Sequence, residues 1–206
     1  MDKKEKSKKI IEELTKFFPN PKIALQYSTP WELFVAVVLS AQSTDKKINE
    51  VTKNLFKKYK TVQDYASVSL EEFQNDIRQV GLFRNKARNI NNAAKIIVQN
   101  GGSVPSSMDE LLKLPGVGRK TANVLLGNLF NKVEGIAVDT HVARLSKLFG
   151  LTNSSNPEKI EEDLMNIVPR KEWFSFTYRM IDYGRKYCTA YCKHKDCPLR
   201  KFIKDS

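Results

Sequence analysis

Residues Leu111–Leu126 read LLKLPGVGRKTANVLL. Just upstream, Ser107 and Glu110 have the spacing of a capping box, opening a short helix through Leu111, Leu112 and Leu114. Pro115 breaks it, because its ring lacks an amide donor and clashes with the preceding turn. Pro115-Gly116-Val117-Gly118 then forms a tight turn, and a second helix follows from Arg119, so the stretch is a helix–hairpin–helix. Gly116 and Gly118 let the backbone come close to a phosphate, and the amides opening the second helix point at that anion. Gly116, Val117, Gly118 and Arg119 are therefore candidates for gripping a DNA strand through its backbone without reading its sequence. The competing interpretation is a plain turn between two packed helices.

Outward from the hairpin, apolar spacing stays helical almost throughout. Ile10, Ile11, Leu14, Phe17 and Phe18 mark one face of a helix that the Pro19–Pro21 region ends. Trp31–Leu39 is nearly all apolar, as in a helix buried on most sides. Val51, Leu55 and Tyr59 continue the pattern. Ser69 and Glu72 form a second capping box, predicting a helix with Leu70, Phe73, Ile77 and Val80 inward, stopped by Gly81. Asn156-Pro157 opens a helix carrying Ile160, Leu164 and Ile167 up to Pro169. Period-two alternation is scarce, so the fold class is all-α.

Composition narrows the partners. The chain has 206 residues, 41% hydrophobic and 10% aromatic, enough for a globular core. Lys+Arg outnumber Asp+Glu 35 to 23, a net charge of +12 that favours a polyanion such as nucleic acid or an anionic membrane surface, the competing interpretation being a Lys-rich proteome that inflates charge everywhere. No apolar run approaches the roughly 18 residues of a membrane span, and no signal peptide appears. A cytoplasmic protein without membrane attachment is expected. The 3 cysteines, all within Cys188–Cys197, suit metal ligation or its remnant better than a disulfide framework.

Two residues are candidates for chemistry. Lys120 sits in the first turn of the second hairpin helix, where most lysines are solvated charges or phosphate contacts. In Ile136–Leu145, IAVDTHVARL, an apolar approach delivers Asp139 to the start of another helix. Asp is favoured there as an N-cap, and a capping carboxylate is also a rigidly placed one.

With these segments in view, the chain resembles the helix–hairpin–helix–Gly/Pro–Asp superfamily, and its endonuclease III branch in particular. The resemblance runs roughly from Ile10 to Leu199. It rests on LSAQSTD (Leu39–Asp45), VGLFRNKARNI (Val80–Ile90), LPGVGRKTANV (Leu114–Val124) and AVDTHVARL (Ala137–Leu145). It implies a base-excision repair enzyme, a DNA glycosylase and abasic-site lyase removing oxidised pyrimidines from double-stranded DNA, with Lys120 as nucleophile and Asp139 as catalytic carboxylate. A lysine at position 120 distinguishes the lyase class from adenine-specific mismatch glycosylases, which lack it. Gln42 matches the residue that fills the space left by the extruded nucleotide, and Leu82 the wedge between base steps. From the residues alone, Gln42 could equally be a buried hydrogen-bonding group and Leu82 a core leucine. Asp45 and His141 match residues that shape the pocket and support the active helix.

The tail departs from the resemblance. Family members commonly end in C-x6-C-x2-C-x5-C around a [4Fe–4S] cluster. Here Cys188 matches the first ligand and Cys197 the third, but His194 stands at the second position and Ile203 at the fourth, with Cys192 extra. The ligand set is incomplete for such a cluster. Three states stay open: the cluster is lost and packing replaces it, Cys188, Cys192, His194 and Cys197 bind zinc, or a cluster persists with another fourth ligand. No metal is needed for lysine and aspartate chemistry.

The expected architecture is two all-α lobes flanking a DNA-binding cleft. Residues 21–132 form a bundle with the hairpin at about 107–130. Residues 1–20 and 133–206 form the second lobe, with the cysteine tail at 188–203. Lys120 and Asp139 are expected to face each other across the groove of a monomer. The alternatives are a noncatalytic helix–hairpin–helix DNA-binding protein and a monofunctional glycosylase for mismatched or alkylated bases.

Overall fold

The computed structural model describes residues 1–203, which are all-α. In chain order these residues form α1 (Lys3–Phe17), α2 (Pro30–Ser40), α3 (Asp45–Lys58), α4 (Val62–Ser67), α5 (Leu70–Asp76), α6 (Phe83–Gln99), α7 (Met108–Leu111), α8 (Arg119–Phe130), α9 (Thr140–Leu148), α10 (Pro157–Ile167) and α11 (Trp173–Lys186). Short 3₁₀ turns lie at Arg170–Glu172 and Arg200–Phe202. The chain divides into two compact units, Ala24–Lys132 and the combination of Met1–Ile23 with Val133–Ser206. The last three residues of the second unit lie outside those described.

In the Ala24–Lys132 unit, α2 is the central element. Trp31 and Leu33–Leu39 are all buried, so this helix has no solvated stripe. Trp31 stacks on Phe34 at 4.9 Å, and the fully buried Tyr65 and Phe73 meet edge-on at 5.5 Å. Each such ring contributes roughly 1.5–3 kcal/mol by leaving water. α6 packs on α4 and α5, and its Asn91 donates to the Tyr65 carbonyl at 2.7 Å.

Local start signals and tertiary contacts share control of the helix ends. Asn156 caps α10 by accepting from the amides of Glu158 and Lys159, with Pro157 at the first helical position. Ser69 and Ser107 each accept from the residue three later, as their spacing predicts, but neither box closes. Glu72 is drawn instead to Lys58, 2.9 Å away, and Glu110 takes the Ser107 hydroxyl rather than its amide. The complete capping boxes are Thr29–Glu32 and Thr61–Asp64.

The helix predicted up to Gly81 stops at Asp76, and Leu70 stays at the surface. Asn75 and Asp76 are weak helix formers, and a carboxylate opposes the negative C-terminal end of a helix. Lys58 and Tyr59 hold Asp76 there at 2.7 and 2.6 Å. Ile77 and Val80 still reach the core, through turns instead of a helical stripe.

The other unit has its own core. Ile10, Ile11 and Leu14 of α1 pack with Val142 and Leu145 of α9, Ile160 and Leu164 of α10, and Phe176, Met180 and Tyr183 of α11. The tail residues Cys188, Leu199 and Phe202 belong to the same core. Phe17 lies partly exposed at the end of α1, its ring 5.4 Å from that of Tyr187.

Candidate active site and nucleic-acid interface

The hairpin joins α7 to α8, and its two glycines exist for different reasons. Gly116 has φ +83°, and a Cβ there would sit 3.1 Å from the Asn89 Cβ of α6. Both backbone and space demand glycine. Gly118 has an ordinary φ of −99° and nothing within 4 Å of its Cβ position. It stands as the N-cap of α8 with no side chain to close the helix. The first-turn amides of α8 have no carbonyl of their own helix to bond, which leaves a positive, uncapped end.

Arg119 and Lys120 follow, both exposed. Val117, expected among the DNA contacts, is different: its side chain is buried and its amide bonds the Leu114 carbonyl at 3.1 Å. It anchors the turn, so the turn's exposed surface comes from its neighbours.

Gln42 and Leu82 lie 40 residues apart in sequence, but their loops adjoin. The Gly81 Cβ position is 3.7 Å from the Gln42 carbonyl oxygen. Both side chains are exposed, Leu82 by 54%. Neither the buried hydrogen-bonding role for Gln42 nor the core role for Leu82 survives. Both are also non-glycine residues in the left-handed region, with φ of 56° and 58°. Such conformations cost of order 1–3 kcal/mol and concentrate where side chains must be aimed.

Lys86 is a residue the sequence analysis missed. It is 4% exposed, and its ammonium donates to the carbonyls of Leu39 and Ala41 at the end of α2. No basic residue of α2 itself serves that end, so Lys86 supplies the cation that the terminal carbonyls and helix dipole favour. Burial lowers its pKa from the ordinary lysine value. The clamp sits immediately before Gln42 and fixes the loop that carries it. The signal in the sequence is a lysine in the apolar stripe Lys86, Ile90, Ala93 and Ile97 of α6.

Replacing Lys86 by Met keeps the stem and removes the donor. Two helix-end carbonyls then lose their partner, and we expect a stability loss of about 1–3 kcal/mol. Denaturant unfolding measures this, and unchanged stability would show that water replaces the ammonium.

Asp139 caps α9, its carboxylate accepting from the Val142 amide at 2.8 Å. The preceding Gly135–Val138 run is buried, and the Thr177 hydroxyl of α11 donates to the Ala137 carbonyl at 3.2 Å. The carboxylate is thus held from both sides of the chain and remains half-buried. His141 packs flush on α11: a Cβ on Gly184 would stand 2.6 Å from its Nδ1. Asp45 begins α3, next to the Thr44 N-cap.

Folding brings Cys188, Cys192, His194 and Cys197 together, their ligand atoms all within 4.8 Å of one another. The set is compatible with a metal site. Cys188 and Cys197 are buried, and Cys192 and His194 half-buried. Burial pushes the Cys197 thiol up to about 12. The Cys192 thiol is lowered, by its hydrogen bond with Cys197 and then by the His194 amide. Arg144 of α9 donates to both the carbonyl and the sulfur of Cys188. Sequence reasoning missed Arg144 because nothing local ties it to the tail.

No helix among the described residues is long and apolar enough to cross a membrane. Known proteins share this architecture. The endonuclease III of Bacillus subtilis (strain 168) is 46% identical over 95% of this chain and 90% of its own length. A solved non-covalent endonuclease III–DNA complex is 45% identical, with TM-score 0.94 over 99% of this chain and 96% of that one. A trapped endonuclease III–DNA covalent intermediate matches with the same identity and TM-score over 99% and 97%. Residues 35–170, which run from the second half of the central helix through the hairpin and past Asp139, match the HhH-GPD superfamily base excision DNA repair protein family, and the chain belongs to that superfamily.

Proposed function

We propose that this protein is a bifunctional DNA glycosylase and abasic-site lyase of the endonuclease III type, acting on oxidised pyrimidines in double-stranded DNA. The observation that carries the reading is Lys120, exposed in the first turn of α8 beside a glycine turn and an uncapped helix end. A phosphate held at that end brings the neighbouring sugar within reach of an amine.

The hairpin grips the strand, and the target nucleotide leaves the base stack, because its sugar bond is inaccessible inside the duplex. Leu82 enters as an apolar wedge and Gln42 fills the vacated space. The Lys120 Nζ attacks C1′, and the bond from C1′ to the base breaks, the base leaving with a proton. Ring opening gives an imine between Nζ and C1′. Loss of a C2′ proton then expels the 3′ phosphate, cutting the C3′–O bond by β-elimination, and water releases the lysine.

Asp139 offsets the positive charge that develops on the sugar and assists proton transfers. Asp45 and His141 support the pocket. Each step is written with side chains, so the lysine and aspartate chemistry needs no metal. We place the enzyme in the cytoplasm with the chromosome, one chain acting per lesion.

Borohydride reduction in the presence of an abasic-site duplex tests the class. A lyase is captured as a stable amine adduct of about one chain per duplex. A noncatalytic hairpin protein or a monofunctional glycosylase gives none, and that result would overturn the lyase assignment.

A further inference from the structure

A [4Fe–4S] cluster needs four ligands, each on a different iron, so its ligand atoms must surround a cube of irons and sulfides. The tail does not fit that requirement. Its donors are three sulfurs and one imidazole nitrogen, drawn within 4.8 Å of one another. The position where a fourth cysteine would stand is Ile203, a hydrocarbon side chain packed against the core beside the buried Phe202.

The geometry points to a single tetrahedral zinc ion held by Cys188 Sγ, Cys192 Sγ, His194 Nδ1 and Cys197 Sγ. With ordinary zinc bond lengths, ligands sharing one tetrahedral ion lie about 3.6 Å apart for sulfur and nitrogen and about 3.8 Å for two sulfurs. His194 Nδ1 is 3.5 Å from Cys188 Sγ and 3.7 Å from Cys197 Sγ. Cys192 and Cys197 are closer, 3.1 Å apart, and need to part slightly around an ion. His194 has φ 60°, a turned backbone that puts its ring and the Cys192 sulfur in the same cluster.

The surroundings suit a thiolate-rich centre. Three thiolates and a neutral imidazole leave zinc with one net negative charge. The Arg144 guanidinium lies 3.7 Å from Cys188 Sγ, and the His194 amide donates to Cys192 Sγ at 3.3 Å. Such donors around metal ligands commonly tune affinity by 10–100-fold. Arg144 also links the site to α9, the helix that Asp139 caps. The ion is therefore a structural brace for α9 and takes no part in the reaction. This inference does not depend on the lyase chemistry.

The test is metal analysis of untagged full-length protein, with unfolding followed in the presence and absence of a chelator. We expect about one zinc per chain, no labile sulfide, and an unfolding temperature that falls when zinc is stripped and returns with zinc alone. Cobalt substituted for zinc should give the visible bands of a tetrahedral thiolate site. Arg144→Leu should raise the zinc dissociation constant by about 10–100-fold.

Should His194→Ala fail to fold, His194→Cys keeps the inference open to refutation, since zinc accepts four thiolates and that variant should retain it. Four irons with matching sulfide and brown absorbance would overturn the zinc site. So would metal-free protein indifferent to chelator, or a metal-free Cys192–Cys197 disulfide.

Discussion

Lys120→Ala should abolish borohydride capture of an abasic-site duplex and lower the strand-cleavage rate by on the order of 10³-fold or more, the range seen when a nucleophile is removed. Lys120 stands exposed in the first turn of α8, so truncation leaves no cavity and no buried partner unsatisfied. The fold should therefore be unaffected, and the loss is chemical. Binding of the duplex should persist, because the glycine turn and the amides of α8 remain. Lys120→Arg sharpens the experiment: it keeps a cation near the phosphates, but a guanidinium stays protonated and forms no imine. Equal failure of the two variants isolates the amine as the essential group. Undiminished cleavage by Lys120→Ala would remove it from the mechanism.

The second large effect concerns Asp139, whose two roles can be separated by substitution. Its carboxylate accepts from the Val142 amide and caps α9. Asn caps a helix about as well as Asp, whereas Ala forfeits roughly 1 kcal/mol. Asp139→Asn should therefore fold with near-normal stability, yet lose base excision by roughly 10²–10⁴-fold, the scale of removing an acid–base or charge-stabilising group. Asp139→Ala should show that loss plus the capping deficit. Single-turnover excision and denaturant unfolding, measured on both variants, resolve the two contributions. An active Asp139→Asn would reduce this residue to a cap.

The all-α class and the hairpin were legible because their information is local. Helical spacing, and a proline and two glycines at one turn, act within a few residues of one another; α7 itself stops at Leu111, short of the expected run to Leu114. The same holds for the Asn156-Pro157 start and for the capping position of Asp139. Legibility fades where a local signal competes with a distant partner. Ser69 and Glu72 have the spacing of a capping box, yet Lys58 takes the glutamate, and α5 ends early where Lys58 and Tyr59 hold Asp76.

By itself, then, the sequence determined the all-α class, the turn at Pro115–Gly118, and the placement of Lys120 and Asp139 at helix starts. Tertiary structure decided which distant loops touch. It brought the Gln42 and Leu82 loops together in strained, exposed conformations and drove the Lys86 ammonium into the end of α2. It also drew Cys188, Cys192, His194 and Cys197 together, with Arg144 against Cys188. Spacing along a chain reports only neighbours a turn or two away, while these contacts depend on how buried faces pack.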